Sequence, residues 1–188
     1  HWSPHQNQVW KPVLCVVTGL CVGGGLHFVV DSDIVIASEN AAFMDSHVNV
    51  GMVGAVENVG LARRLPVGSA LRMTLMGRDY RMPARRAYEL GLVDELVETA
   101  EQARAVAEEM ARSLLKNSPQ AMALSKKAVW GALEHGYTEA MERGWGLLRS
   151  HWEHPDFAEG PRAFGEKRAP RWDPDPKARN PKHDEGDS

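Results

Sequence analysis

The chain has 188 residues, enough for one domain with a sizeable core. Hydrophobic residues make up 43% and charged residues 25%, and the net charge is −3, which is ordinary for a soluble globular protein and gives no bulk attraction to nucleic acid or to an anionic membrane. No apolar run approaches the roughly 20 residues of a membrane span. The two cysteines, Cys15 and Cys21, have neither the number nor the spacing of a zinc site or a disulfide framework, so a reducing cytoplasm and no metal are expected.

Residues 1–11 are polar around anchors at Trp2, His5 and Trp10, and are expected to end a helix that starts upstream. Val13–Val17 is a short β-branched run and reads as a buried strand. Gly19 breaks it, Gly23, Gly24 and Gly25 follow, and Leu26–Val30 reads as a short buried helix closed by Asp31-Ser32-Asp33. Three adjacent glycines suit a positive φ, close approach of a ligand, or both. Main-chain N–H groups at the mouth of a helix are placed to stabilise negative charge.

Strands follow at Ile34–Ala37 and near Ala42-Phe43-Met44, which with the intervening helices points to an α/β core of parallel character. Helices are predicted over Glu57–Leu65, stopped by Pro66, over Ser69–Met76, ended by Gly77, and over Pro83–Leu90, with a strand at Val93–Val97. From Thr99, which forms a capping box with Gln102, the chain reads as helical. Ala103, Val106, Ala107, Met110, Ala111, Leu114 and Leu115 make one apolar stripe. Further helices run from Pro119 to about Leu133, from about Thr138 to Trp152, and from Pro155 to about Arg168. The expected organisation is a core over 1–98, a helical region over 99–173 and a disordered tail over 174–188, whose composition carries too little apolar surface to fold.

Lys11-Pro12-Val13, Gly19, Gly23-Gly24-Gly25, Asp33-Ile34-Val35-Ile36-Ala37, Ala42-Phe43, Val50-Gly51, the run from Gly60 to Leu65, the run from Leu90 to Asp94, and that from Ala163 to Arg168 recur here in a fixed order. In that order they resemble the enoyl-CoA hydratase/isomerase (crotonase) superfamily over roughly residues 8–173. The resemblance implies an α/β spiral of ββα units followed by a C-terminal helical region that forms trimers. It also implies an N-terminal portion before the Lys11-Pro12 strand, with the first oxyanion N–H and contacts to the CoA nucleotide. Nothing in the chain matches that portion, and the chain is expected to be the C-terminal two-thirds of such a subunit.

The resemblance also sets the candidate site. His27 and His47 occupy the two slots in which typical hydratases carry catalytic glutamates, and imidazole can act as acid or base near neutral pH. Glu57 follows an apolar loop, Gly51 to Val56, that borders the acyl pocket in related enzymes; it is expected near the rim of the site, as base or as a partner for a histidine. Gly24 matches the middle glycine of the family triplet and is assigned to the oxyanion hole. Gly23, Gly25, Val53, Phe164 and Lys167 are assigned to substrate binding. Each has a plainer reading: core histidines, a first-turn charge for Glu57, packing glycines, and surface residues at Phe164 and Lys167. Asp45 and Ser46 read as turn residues, and Arg63-Arg64 as solvated helix charges. A dinucleotide fingerprint is poorly supported, because Phe28 stands where its last glycine belongs.

The expected function is an enzyme acting on an acyl-CoA thioester through an oxyanion hole, of hydratase/isomerase type, with fatty acid metabolism as its setting. One alternative is a hydrolase or retro-Claisen C–C bond cleaving enzyme using His and Glu. Another is a non-catalytic member serving as a binding or oligomer scaffold. No cofactor is expected beyond the coenzyme A of the substrate; the expected partners are the acyl-CoA substrate and further copies in a homotrimer or hexamer, with no nucleic acid and no membrane.

Overall fold

The computed structural model describes residues 2–175 and 177. Nearly all of the tail predicted to be disordered lies outside them. The described chain divides into two compact units. One holds the chain up to Val9 together with Val13–Ala111, and the other holds Trp10–Pro12 together with the chain from Arg112.

In the first unit, β1 (Leu14–Val17) leads through Gly19 to β2 (Leu20–Val22), and the glycine turn leads to helix α1 (Leu26–Val30). The same order repeats with β3 (Ile34–Ser38), β4 (Ala42–Met44) and helix α2 (Val56–Arg64). The two repeats stack strand on strand. β1 pairs parallel with β3, Leu14 opposite Ile34 and Val17 opposite Ala37, and β2 pairs parallel with β4, Leu20 opposite Ala42 and Val22 opposite Met44. Each pair gains a third strand. β5 (Met82–Pro83) runs antiparallel to β4, and β6 (Glu95–Val97) parallel to β3. Pro83, which has no N–H to give to a ladder, sits at the end of a sheet edge where none is required.

Helices α3 (Val67–Met76) and α4 (Ala84–Glu89) complete this unit. Its core is the apolar face of the strands and of α1 to α4: Leu26, Val35, Phe43, Leu61, Met73, Met82 and Leu92 have no exposed surface. Two aspartates finish the ladders. Asp33 accepts from the Val13 N–H at 2.7 Å, and Asp94 from the Val35 N–H at 2.7 Å. Arg64 corrects the reading of a solvated helix charge. Its guanidinium donates to the carbonyls of Val30, at 2.9 Å, and of Ser32, and so ties α2 to the end of α1.

Helices α1 and α2 approach closely at Gly60. A Cβ built there would lie 2.4 Å from Val30 Cγ2 and 2.7 Å from Val30 Cβ. Gly60→Ala should therefore destabilise the protein by about 1–3 kcal/mol, the usual cost of overpacking a filled core. Val30→Ala in the same chain should recover part of the loss. Urea denaturation of the single and double variants measures both, and additive losses would show that the crowding is not at Val30.

Beyond α5 (Ala100–Leu114) the second unit is helical: α6 (Pro119–Ala132), α7 (Tyr137–His151) and α8 (Pro155–Gly165). Ser118 caps α6, accepting from the Ala121 N–H at 3.1 Å, and also donates its hydroxyl to buried Asp156 of α8. Glu159 of α8 gathers the guanidinium groups of Arg162 and Arg168 and the Arg171 N–H; their hydrogen bonds hold its carboxyl well below the usual Glu range. No helix among the described residues is long and apolar enough to cross a membrane.

Three predictions of detail are corrected. Residues Ser3 to Gln8 form successive turns rather than a helix end. The sequence predicts no strand between Gly19 and Gly23 and places Pro83 at the start of a helix, where the structure has β2 and β5. Both strands are short and exist through pairing with β4, which is distant in sequence and leaves no local periodicity.

Candidate active site

Four short elements of the first unit bring the site together. His27 is the second residue of α1, directly after the 3-10 turn Gly23–Gly25. Asp45 follows β4 and His47 opens the 3-10 turn His47–Val50, which Gly51 closes at φ +70°. Glu57 is in the first turn of α2, where the partial positive charge of the helix end favours a carboxylate.

Glu57 lies between the two imidazoles. Its Oε2 is 3.3 Å from His27 Nε2 and its Oε1 is 3.0 Å from His47 Nδ1. The carboxylate is 4% exposed, so Glu57 is the centre of the cluster and not its rim. Trp2 lies beside His27 with the ring centroids 5.8 Å apart.

Asp45 is also more than a turn residue. It has no exposed surface, and its Oδ1 lies 2.5 Å from His47 Nδ1 and accepts the His47 main-chain N–H at 3.1 Å. Its Oδ2 accepts from the Asn58 side chain at 2.8 Å, and Asn58 donates to the Gly54 carbonyl at 2.8 Å as well. Gly54 is where it is because nothing larger fits. A Cβ there would lie 2.6 Å from both Asp45 Oδ2 and Asn58 Nδ2.

His47 Nδ1 has two carboxylates near it and one proton to give. Asp45 Oδ1 is the nearer and takes the hydrogen bond; Glu57 Oε1, although 3.0 Å away, is left without a hydrogen-bond partner. With the proton held on Nδ1, the ring's basic nitrogen is Nε2. Burial pushes the Asp45 carboxyl up, but hydrogen bonds from Asn58 and from the His47 backbone and ring outweigh it and hold the carboxyl below its ordinary value.

A carboxyl depressed in the folded state stabilises the fold above its unfolded pKa, near 3.9, and loses that contribution as pH falls through the folded value. Asp45→Asn should therefore destabilise the protein at pH 7, and the gap to the parent should close below about pH 4. Urea midpoints across that range test it; a gap that persists undiminished at the acid end would contradict the assignment.

The other expected site residues fall in three places. Gly23, Gly24 and Gly25 form the turn ahead of His27; Gly23 has φ +49°, and a Cβ on it would come 3.4 Å from His47 Cε1. Val53 is 85% exposed on the loop before α2. Phe164 and Lys167 belong to the second unit, Phe164 at 88% exposure on α8 and Lys167 just after it with φ +54°. A cleft of about 480 Å³ lined by Glu159, Arg162, Arg168 and Trp172 also lies in that unit and includes none of the His27, His47 or Glu57 groups.

Sequence reasoning missed Asp45 and Asn58. The available signal was the Asp45-Ser46-His47 spacing at the end of a strand. An Asp side chain readily accepts the main-chain N–H two residues on, and here the Asp45 Oδ1 that accepts the His47 N–H also meets the His47 ring.

A family profile described as enoyl-CoA hydratase/isomerase matches residues 2–175. Among curated proteins, an (E)-benzylidenesuccinyl-CoA hydratase from Thauera aromatica is 36% identical over 176 residues, covering 89% of this chain and 64% of that protein. A mevalonyl-coenzyme A hydratase from Aspergillus fumigatus is 34% identical over 171 residues, covering 87% and 61%. Among solved structures, an enoyl-CoA hydratase/isomerase from Mycobacterium paratuberculosis is 43% identical with a TM-score of 0.86, covering 91% of this chain and 67% of that one. The chain thus spans 61–64% of the length of these two curated relatives.

Proposed function

The chain belongs to the enoyl-CoA hydratase/isomerase family, and on that premise we propose that it moves protons on an acyl-CoA thioester, adding water to or removing it from the acyl chain. The observation that carries the reading is the carboxylate of Glu57 held between His27 and His47. In this reading Asp45 keeps the His47 proton on Nδ1, so that Nε2 takes a proton from water or from the acyl chain. The pair His27–Glu57 returns one to the other side of the bond. General acid–base groups of this kind typically contribute 10²–10⁴-fold each.

The Gly24 N–H, in the turn ahead of His27, stabilises the thioester oxygen as negative charge develops. Val53 and the apolar loop around it receive the acyl chain. The hydratase names of the relatives support the reaction class. The test is incubation of the purified chain with a panel of enoyl-CoA thioesters, following loss of the conjugated thioester absorbance and identifying hydrated products by mass. No turnover of any member, in either direction, would sink the reading.

One observation favours a second reading. The Asp45–His47 contact of 2.5 Å is the geometry that activates water for direct attack on a carbonyl. In that case the products would be a shortened acyl-CoA or free coenzyme A, which the same mass analysis separates from a hydrated thioester.

We also propose assembly into a trimer or a dimer of trimers. Val129, Leu133, Tyr137, Met141, Trp145 and Leu148, on α6, α7 and the turn between them, stand exposed, more apolar surface than a small monomer usually presents. Sedimentation at micromolar concentration should give a species of at least three chains; a monomer would refute it.

A further inference from the structure

Both carboxylates of the cluster are held from behind. Asp45 Oδ2 is bonded by the Asn58 amide, and Glu57 Oε2 faces His27 Nε2. The other oxygen of each, Asp45 Oδ1 and Glu57 Oε1, lies 2.5 and 3.0 Å from His47 Nδ1, and one donor atom from each of the three residues lies within 4.8 Å of the others. Both acids are almost fully buried, and Glu57 Oε1 has no hydrogen-bond partner. One imidazole nitrogen and two single carboxylate oxygens form a donor set suited to zinc, and an outer partner on each carboxylate is the usual support of such a set.

Tetrahedral bonds of about 2.0–2.1 Å put neighbouring donors roughly 3.3 Å apart. The Asp45–His47 and His47–Glu57 separations are 2.5 Å and 3.0 Å. Both fall short of that spacing by less than about 1 Å.

We propose that Asp45, His47 and Glu57 bind a single Zn²⁺, which takes the place of the proton on His47 Nδ1. The ring proton then sits on Nε2, and no bond other than these N–H and metal contacts changes. On the proton-transfer reading above, His47 loses its basic nitrogen and Glu57 its freedom to exchange a proton, so the bound ion acts as an inhibitor that a chelator reverses.

The test uses the full chain, titrated with Zn²⁺ against a chromophoric chelator. One ion per chain at micromolar affinity or tighter is expected. His47→Ala and Asp45→Asn should each weaken binding by more than about 100-fold, and Asn58→Leu by about 10–100-fold, the range for outer partners of a metal ligand. His151→Ala, in the second unit, should leave it unchanged. Circular dichroism establishes that each variant is folded. No binding at micromolar zinc, or stoichiometric binding that a folded His47→Ala retains, overturns the site. Turnover of acyl-CoA thioesters without zinc binding overturns this inference alone, and zinc binding by a chain inert toward such thioesters overturns only the reading above.

Discussion

Replacing His47 with alanine is expected to lower turnover of an acyl-CoA thioester by about 10²–10⁴, the range for one positioned acid or base, and to leave the fold standing. The ring is 21% exposed, so little apolar packing is lost with it. Asp45 keeps the Asn58 amide and the residue 47 main-chain N–H, which do not depend on the ring. Steady-state kinetics beside thermal unfolding separates the two effects. A variant within a few-fold of the parent would show that His47 is structural. Glutamate at position 47 is the instructive second variant. By the family resemblance a carboxylate belongs in that slot, yet here Asp45 and Glu57 already approach the ring within 2.5 and 3.0 Å. A third acid there would meet two others in a buried site, so His47→Glu should be less stable than His47→Ala at pH 7 and should not recover activity.

That contrast also shows what the sequence could convey. The apolar run at Val13–Val17, the β-branched run of Ile34–Ala37 and the helices from Glu57 onward announce themselves locally, through periodicity and through stops at Pro66, Gly77 and Pro119. β2 does not, since its three residues are a strand only because Cys21 faces Phe43 across twenty-two positions of chain. The site divides in the same way. His27 and His47 stood out by slot, and Glu57 by the apolar loop ahead of it. The depth of Glu57 was not legible, because it depends on α1 and α2 approaching closely at Gly60, a tertiary fact. Asp45 reads only as a turn residue because Asp before Ser is a common turn pair. Its burial comes from β4, where Phe43 and Met44 are already inside and the chain has not yet surfaced.

Glu57 and His27 offer the second large effect, and the form of the effect matters more than its size. Glu57→Gln keeps the volume between the two rings and removes the charge, and it should lower kcat by about 10²–10⁴. His27→Ala removes the ring 3.3 Å from Oε2 and should cost a comparable factor. If the two pass one proton between them, the double variant should be no slower than the worse single, because groups acting as a unit are strongly non-additive. If each acts alone, the losses should multiply. A purely structural role predicts a third pattern. The buried amide of Glu57→Gln would have to find partners among the same imidazoles, so unfolding midpoints would fall while kcat of the folded fraction stayed near the parent value. Measuring kcat and the urea midpoint for all four members of the cycle distinguishes the three, and multiplicative losses would break the proposed His27–Glu57 pair while leaving Asp45–His47 as the base.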